Sequence, residues 1–124
     1  MSRLDDRVRV QHMLDAAREA RQFAEGKTRD HLNDNRMLVL ALTKDIEIIG
    51  EAASKISKTF QAAHPHIPWA VIVGMRNMLI HAYFDVDLDE VWSTLQNDLP
   101  RLIEQLDSIV LQDDDTASLP SNET

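Results

Sequence analysis

The longest apolar stripe of this sequence runs through residues 36–63, RMLVLALTKDIEIIGEAASKISKTFQAA. Apolar side chains recur in it at intervals of three and four residues, which is the spacing of one face of an α-helix. The stripe comprises Leu38, Leu42, Ile46, Ile49, Ala53, Ile56 and Phe60. We therefore predict one long helix that begins near Thr28 or Asp30 and ends at Ala63, because the residue before Pro65 avoids the helical region.

Two further helices are predicted on either side of this one. The first extends from about Leu4 to Ala24 and ends at Gly26, since glycine tolerates the left-handed conformation of a helix end. The third begins at Pro68, whose missing N–H costs nothing at a first helical position, and continues to residue 83 or 84. Short loops between these helices favour antiparallel packing.

The fourth predicted helix begins with an acidic capping box, Asp87 followed by Glu90. Pro100 lies within this helix and is expected to kink or divide it. Residues 112–124 are acidic and polar, and we predict that they form a disordered tail. The sequence as a whole predicts an all-α fold, an antiparallel bundle of four to five helices formed by residues 1–111.

The composition limits the class of protein. The chain has 124 residues and no cysteine, which excludes disulfides, thiolate zinc sites and a cysteine nucleophile. Its 13 Lys and Arg residues against 21 Asp and Glu residues give a formal charge of −8, which argues against a general nucleic-acid coat but leaves room for a local basic groove. The N-terminus is too charged for a secretory signal and no apolar run reaches membrane-spanning length, so we expect a cytoplasmic protein.

The third predicted helix has two different faces on a projection of about 100° per residue. One arc is apolar and is expected to pack into the bundle: Val71, Ile72, Met75, Met78, Leu79 and Ala82. The opposite arc combines an apolar middle with polar neighbours: Val73, Ile80 and Phe84, with Arg76, Asn77, His81 and Tyr83. A helix face of this kind suits a subunit interface that contains a cleft.

Arg76 and His81 have the chemistry needed to cleave RNA without a metal ion. A histidine can move the proton of a ribose 2′-hydroxyl, and an arginine can hold the phosphate. The two residues are about 140° apart on an ideal helix, but a twofold dimer would line one groove with two copies of each. Either residue alone is more often structural, so the residues themselves leave open a binding cleft without catalysis or a purely structural bundle.

The segment 67–83, IPWAVIVGMRNMLIHAY, resembles the HEPN superfamily and specifically the HepT-like toxins. The resemblance rests on an Arg-x4-His-x-Tyr motif formed by Arg76, His81 and Tyr83. Two further segments resemble the same family: DVDLDEVW at 85–92, and EIIGEA at 47–52. Together the similarity extends from about residue 5 to residue 110.

The resemblance implies a dimeric, metal-independent endoribonuclease that belongs to a toxin–antitoxin pair and needs no cofactor. It implies that Arg76 and His81 are the catalytic residues and that Asn77 supports them. Its expected partners are RNA rather than DNA, a second copy of the chain, and a minimal nucleotidyltransferase (MNT) antitoxin that transfers AMP to Tyr83. The alternative is a non-catalytic helical subunit that binds a nucleotide or the nucleotidyltransferase itself.

Overall fold

A computed structural model describes the backbone of residues 3–81 and 87–118 and the side chains of residues 5–75 and 87–112. This part of the chain is entirely helical and turn structure without strands, which confirms the predicted all-α class. The helices are α1 (Arg3–Phe23), α2 (His31–Asp34), α3 (Arg36–Ser54), α4 (Lys58–Ala63), α5 (Trp69–His81), α6 (Leu88–Ser93) and α7 (Leu99–Ser118). A π-helical turn, Thr94–Asp98, joins α6 to α7.

The core forms around α3, which packs against α1 on one side and α5 on another, while α7 packs against α1. Leu42, Ile46 and Ile49 of the predicted stripe are completely buried, so the periodicity identified the inner face correctly. They meet buried residues from the other helices: Met13, Leu14, Ile72, Leu95, Leu99 and Leu106. Packing of these apolar faces supplies most of the stability of such a bundle.

The prediction of one helix from residue 28 or 30 to Ala63 is wrong, because the chain breaks twice within it. At the first break, the side chain of Asn35 accepts a hydrogen bond from the N–H of Leu38 and caps α3. At the second break, the Oγ of Ser57 accepts a hydrogen bond from the N–H of Phe60 and caps α4. Asn and Ser side chains compete with the helical backbone in this way and favour helix starts over helix interiors.

Ser57 is held by a residue far away in sequence. The carboxylate of Asp6, which is buried in α1, accepts hydrogen bonds from the backbone N–H of Ser57 at 2.8 Å and from its Oγ at 2.7 Å. This contact between α1 and the turn before α4 stabilises the second break. No pattern within residues 28–63 contains that information.

The predicted disturbance at Pro100 is confirmed. The backbone N–H of Leu99 donates to the carbonyl of Thr94, five residues earlier, and Pro100 is the second residue of α7. Proline has no N–H to donate to the carbonyl four residues earlier, and its ring crowds that carbonyl, which accounts for the departure from α-helical geometry at this point. The π-helical turn therefore divides the predicted fourth helix just before the proline.

Two predicted helix boundaries are also confirmed. Gly26 follows α1 with a φ of 75°, the left-handed conformation predicted for it. At the start of α6, the side chain of Asp87 accepts a hydrogen bond from the N–H of Glu90. α7 continues to Ser118, beyond residue 112 where the predicted tail begins, and the disorder of that tail stays a prediction. The segment has neither glycine nor proline before Pro120, so the first strong helix breaker comes later than the change in composition. No helix in the described ranges has both the length and the apolar character needed to span a membrane.

Candidate active site

The helix that carries the predicted motif, α5, is anchored at its start by Trp69. This side chain is buried, its Nε1–H donates to the carbonyl of His64 at 3.0 Å, and its ring packs edge-on against Phe60 with centroids 6.2 Å apart. The N–H of Ile72 donates to the carbonyl of Pro68 and closes the first turn. The start of α5 is therefore fixed by both packing and hydrogen bonds, which sets where later residues of the helix lie.

The face of α5 that packs on the core is rotated from the predicted one. Ile72 and Met75 are buried as expected, but Val71, predicted to face the core, is 60% exposed. Trp69 is buried instead. The centre of the buried face, as defined by Trp69, Ile72 and Met75, is therefore rotated around the helix axis by about 60° from the centre of the predicted apolar arc, toward position 76. The large Trp69 side chain and its hydrogen bond to His64 outweigh the smaller burial that Val71 would gain.

Arg76, Asn77 and His81 all belong to α5, which is continuous through His81. Their side chains lie outside the described residues, so only the helix positions are known. Positions 76 and 81 are separated by about 140° around the helix and about 7.5 Å along its axis. Position 76 is about 40° from Ile72 and lies at the edge of the core-facing side, whereas position 81 lies about 20° from the exposed Ala70. A single chain therefore carries the two residues on different sides of α5.

The residues proposed for the dimer interface and for modification fall only partly within the described structure. Val73 is half-buried and packs against the core of the bundle, which leaves part of it accessible. The side chain of Ile80 lies outside the described residues, as do both the backbone and the side chains of Tyr83 and Phe84. Their expected roles therefore stay predictions.

A buried carboxyl group that the sequence reading did not single out lies on the other side of α3. Asp45 is only 2% exposed, and burial together with its hydrogen bond to Glu19 and the negative charge of Glu19 raises the pKa of Asp45 to about 7. Its Oδ2 has no hydrogen-bond partner among the described residues. The sequence could have indicated this burial, because Asp45 lies three residues after Leu42 and four before Ile49, which places it on the apolar face of α3. Since Glu19 belongs to α1, this pair faces α1 and not the helix that carries the motif.

Residues 13–109 match the family model described as "Ribonuclease HepT-like". The "Putative RNase MJ1380" of Methanocaldococcus jannaschii is 30% identical over 109 residues, which are 88% of this chain and all of that protein. The "Probable ribonuclease HepT" of Thermococcus cleftensis is 47% identical over 62 residues, 50% of this chain and 56% of that protein. No solved structure shows a significant match.

The match and the all-α fold together define the class, a helical ribonuclease of the HEPN superfamily. Within that superfamily, the chain belongs to the HepT-like family. The matched residues include both Arg76 and His81. The family and the names of its relatives therefore support a ribonuclease, in agreement with the resemblance noted in the sequence.

Proposed function

We propose that this protein is a metal-independent endoribonuclease toxin whose active site contains Arg76 and His81. The observation that carries the proposal is the family match over residues 13–109, which spans the helix that holds both residues. The anchored start of α5 adds support, because a fixed helix gives its later positions a defined place relative to the core.

The reaction proposed is an intramolecular attack within the RNA strand. The 2′-oxygen of one ribose attacks the adjacent phosphorus and the bond from phosphorus to the 5′-oxygen breaks, which leaves a 2′,3′-cyclic phosphate and a 5′-hydroxyl. One proton leaves the 2′-hydroxyl and one is delivered to the departing 5′-oxygen, a role for which His81 is suited. Arg76 would stabilise the negative charge that develops on the phosphate oxygens, and Asn77 would help to orient the phosphate or the imidazole.

A twofold dimer would complete this site. Because positions 76 and 81 are about 140° apart on α5, one copy of the helix does not turn both toward the same phosphate. A second copy that packs across Val73, Ile80 and Phe84 would bring its own Arg76 and His81 to the same groove. The part of Val73 that remains accessible is compatible with this arrangement.

Inactivation by AMP transfer to Tyr83 would then act directly on the catalytic groove. The phenolic oxygen would attack the α-phosphorus of ATP, and pyrophosphate would leave while the phenol proton passes to solvent. On a continuous helix, positions 76 and 83 are about 20° apart, so the added phosphate would compete with RNA for Arg76. We propose an MNT-type nucleotidyltransferase antitoxin as the enzyme that performs this transfer.

The proposal is tested by incubating purified protein with RNA in EDTA. We expect cleavage with cyclic-phosphate or 3′-phosphate ends in wild type and in His66→Ala, which replaces an exposed histidine outside α5. We expect His81→Ala to fold normally and to lose the activity by about two to four orders of magnitude, the usual contribution of a general acid–base. Equal cleavage by His81→Ala and wild type would refute the assigned chemistry.

The net charge of −8 favours one alternative, a non-catalytic subunit that binds a nucleotide or the nucleotidyltransferase, because RNA must approach an overall negative protein. Co-expression with the nucleotidyltransferase, followed by intact-mass and peptide analysis, separates the two functions. AMP on Tyr83 together with lost RNA cleavage supports the toxin. A wild-type protein that binds the transferase but never cleaves RNA supports the alternative.

A further inference from the structure

A second cluster of basic side chains lies away from α5, in a pocket of about 190 Å³ between α1 and α3. Arg9 and His12 of α1 line one wall; α3 supplies Lys44, Glu47 and Glu51, and Lys55 follows directly after its last residue. The proposed cleavage chemistry uses none of these residues. On a chain with a net charge of −8, a pocket with three permanent positive charges against two negative ones is locally unusual.

The positively charged side chains of this pocket differ in whether they form ion pairs. Lys44 is 3.5 Å from Glu47 and Lys55 is 3.4 Å from Glu51, so each lysine has a carboxylate beside it on its own helix. Arg9 is half-buried, and its Nε is shielded from solvent without a hydrogen-bond partner among the described residues. A buried guanidinium nitrogen without a partner is uncommon, since such groups are normally hydrogen-bonded. Because Nε is shielded from solvent, the donors of Arg9 that could reach a ligand in the pocket are those of the terminal nitrogens of its half-buried guanidinium.

The charge and the lining of the pocket suit the sugar-phosphate backbone of a nucleic-acid strand. Arginine presents a planar fork of donors that matches phosphate oxygens. The half-exposed Ile48 and the buried Ala52 line the same pocket and provide an apolar surface for a ribose or a base. The two glutamates disfavour a ligand with several negative charges, such as a nucleoside triphosphate, more than a phosphodiester with a single negative charge.

We propose that the pocket between α1 and α3 binds a backbone phosphodiester of single-stranded RNA, with Arg9 as its principal ligand and Lys44 and Lys55 as further phosphate contacts. This inference rests on the proposed function in taking RNA as the ligand. It adds a binding site remote from the reacting phosphate, which would hold the strand against the repulsion of an acidic protein. Lys44 and Lys55 are about 16 Å apart along α3, so the site follows the strand over more than one phosphate.

The experiment measures binding of a fluorescein-labelled 2′-O-methyl RNA oligonucleotide by fluorescence anisotropy between 50 and 200 mM salt. This probe lacks the attacking hydroxyl and stays intact whether or not the protein is a nuclease. The variant Arg9→Gln/Lys44→Gln removes two positive charges from the pocket. The control Lys58→Gln/Arg101→Gln removes two exposed positive charges elsewhere. Circular dichroism and thermal unfolding establish that both variants fold.

We expect the pocket variant to bind at least tenfold more weakly than wild type at 100 mM salt. The slope of log affinity against log salt should decrease by about 1.4, or about 0.7 for each lost contact to a single strand. The control variant should stay within about threefold of wild type. Equal losses in both variants would mean that only the overall charge matters, and unchanged binding in the pocket variant would equally overturn the site.

Two further outcomes separate this inference from the proposed function and from another ligand. Cleavage of ordinary RNA by wild type, with unchanged binding in the pocket variant, would leave the nuclease standing and remove this site. Binding of ATP that displaces the oligonucleotide, weakens in the pocket variant and is tighter than RNA binding would assign the pocket to a nucleotide and overturn the assignment to RNA.

Discussion

The buried carboxyl of Asp45 makes the stability of this protein depend on pH in a direction opposite to that of an ordinary paired aspartate. Its pKa is raised from 3.8 to about 7, first because burial disfavours the charged form and then because of Glu19. Between these two values the folded protein keeps a proton that the unfolded chain has lost. By linkage, the free energy of unfolding therefore falls as pH rises through this range, and the stabilisation is complete only below about pH 4.

Replacing Asp45 with Asn should abolish this fall in the free energy of unfolding with rising pH. About three pH units at 1.36 kcal/mol per unit give about 4 kcal/mol, which is an upper bound because the amide must find its own hydrogen bonds in the same space. We expect Asp45→Asn to exceed wild type in free energy of unfolding by up to about 4 kcal/mol at pH 8. Near pH 4, where Asp45 keeps much of its proton in the unfolded chain as well as in the folded protein, the two proteins should differ by less than about 1 kcal/mol.

The measurement is urea unfolding of wild type and Asp45→Asn at pH 4, 5, 6, 7 and 8, followed by circular dichroism. Asp89→Asn is the matched control, because Asp89 is an exposed carboxylate paired with Arg29 and its loss should leave the pH profile parallel to wild type. Glu19→Gln should retain most of the wild-type fall, since burial is the larger cause of the shift. Parallel profiles for Asp45→Asn and wild type would refute the reasoning.

Two other substitutions test a structural contact and a proposed function. Ser57→Ala removes the N-cap of α4 and the Oγ hydrogen bond to the buried Asp6. It should therefore lower the free energy of unfolding, measured by urea titration, by about 1–2 kcal/mol. The control Lys55→Gln breaks an exposed ion pair nearby and should lower it by less than about 1 kcal/mol. Tyr83→Phe, co-expressed with the nucleotidyltransferase, should cleave RNA but gain no AMP mass, and AMP found on another residue in this variant would contradict the assignment of Tyr83.

The boundaries of the elements show what a local pattern misses. The stripe through Leu42, Ile46 and Ile49 predicted the buried face of α3 because helical periodicity alone decides which side chains share a face. The same stripe continued past Ser57, where the helix breaks. That break depends on Asp6, 51 residues earlier, whose carboxylate is brought to Ser57 only when α1 packs against α3.

The sequence by itself determined the all-α class, the ends at Gly26 and Asp87, and the family through the segment that carries Arg76 and His81. These depend on residue type and spacing, which act over a few neighbouring positions. Only the tertiary structure decided how α5 is rotated, with Trp69 buried and Val71 exposed, and that Arg9 and Lys44 share a pocket. The reason is that the orientation of a helix depends on contacts with side chains from distant helices. The orientation that buries more apolar surface and forms the better hydrogen bond is the more stable one, even where the local pattern predicts another.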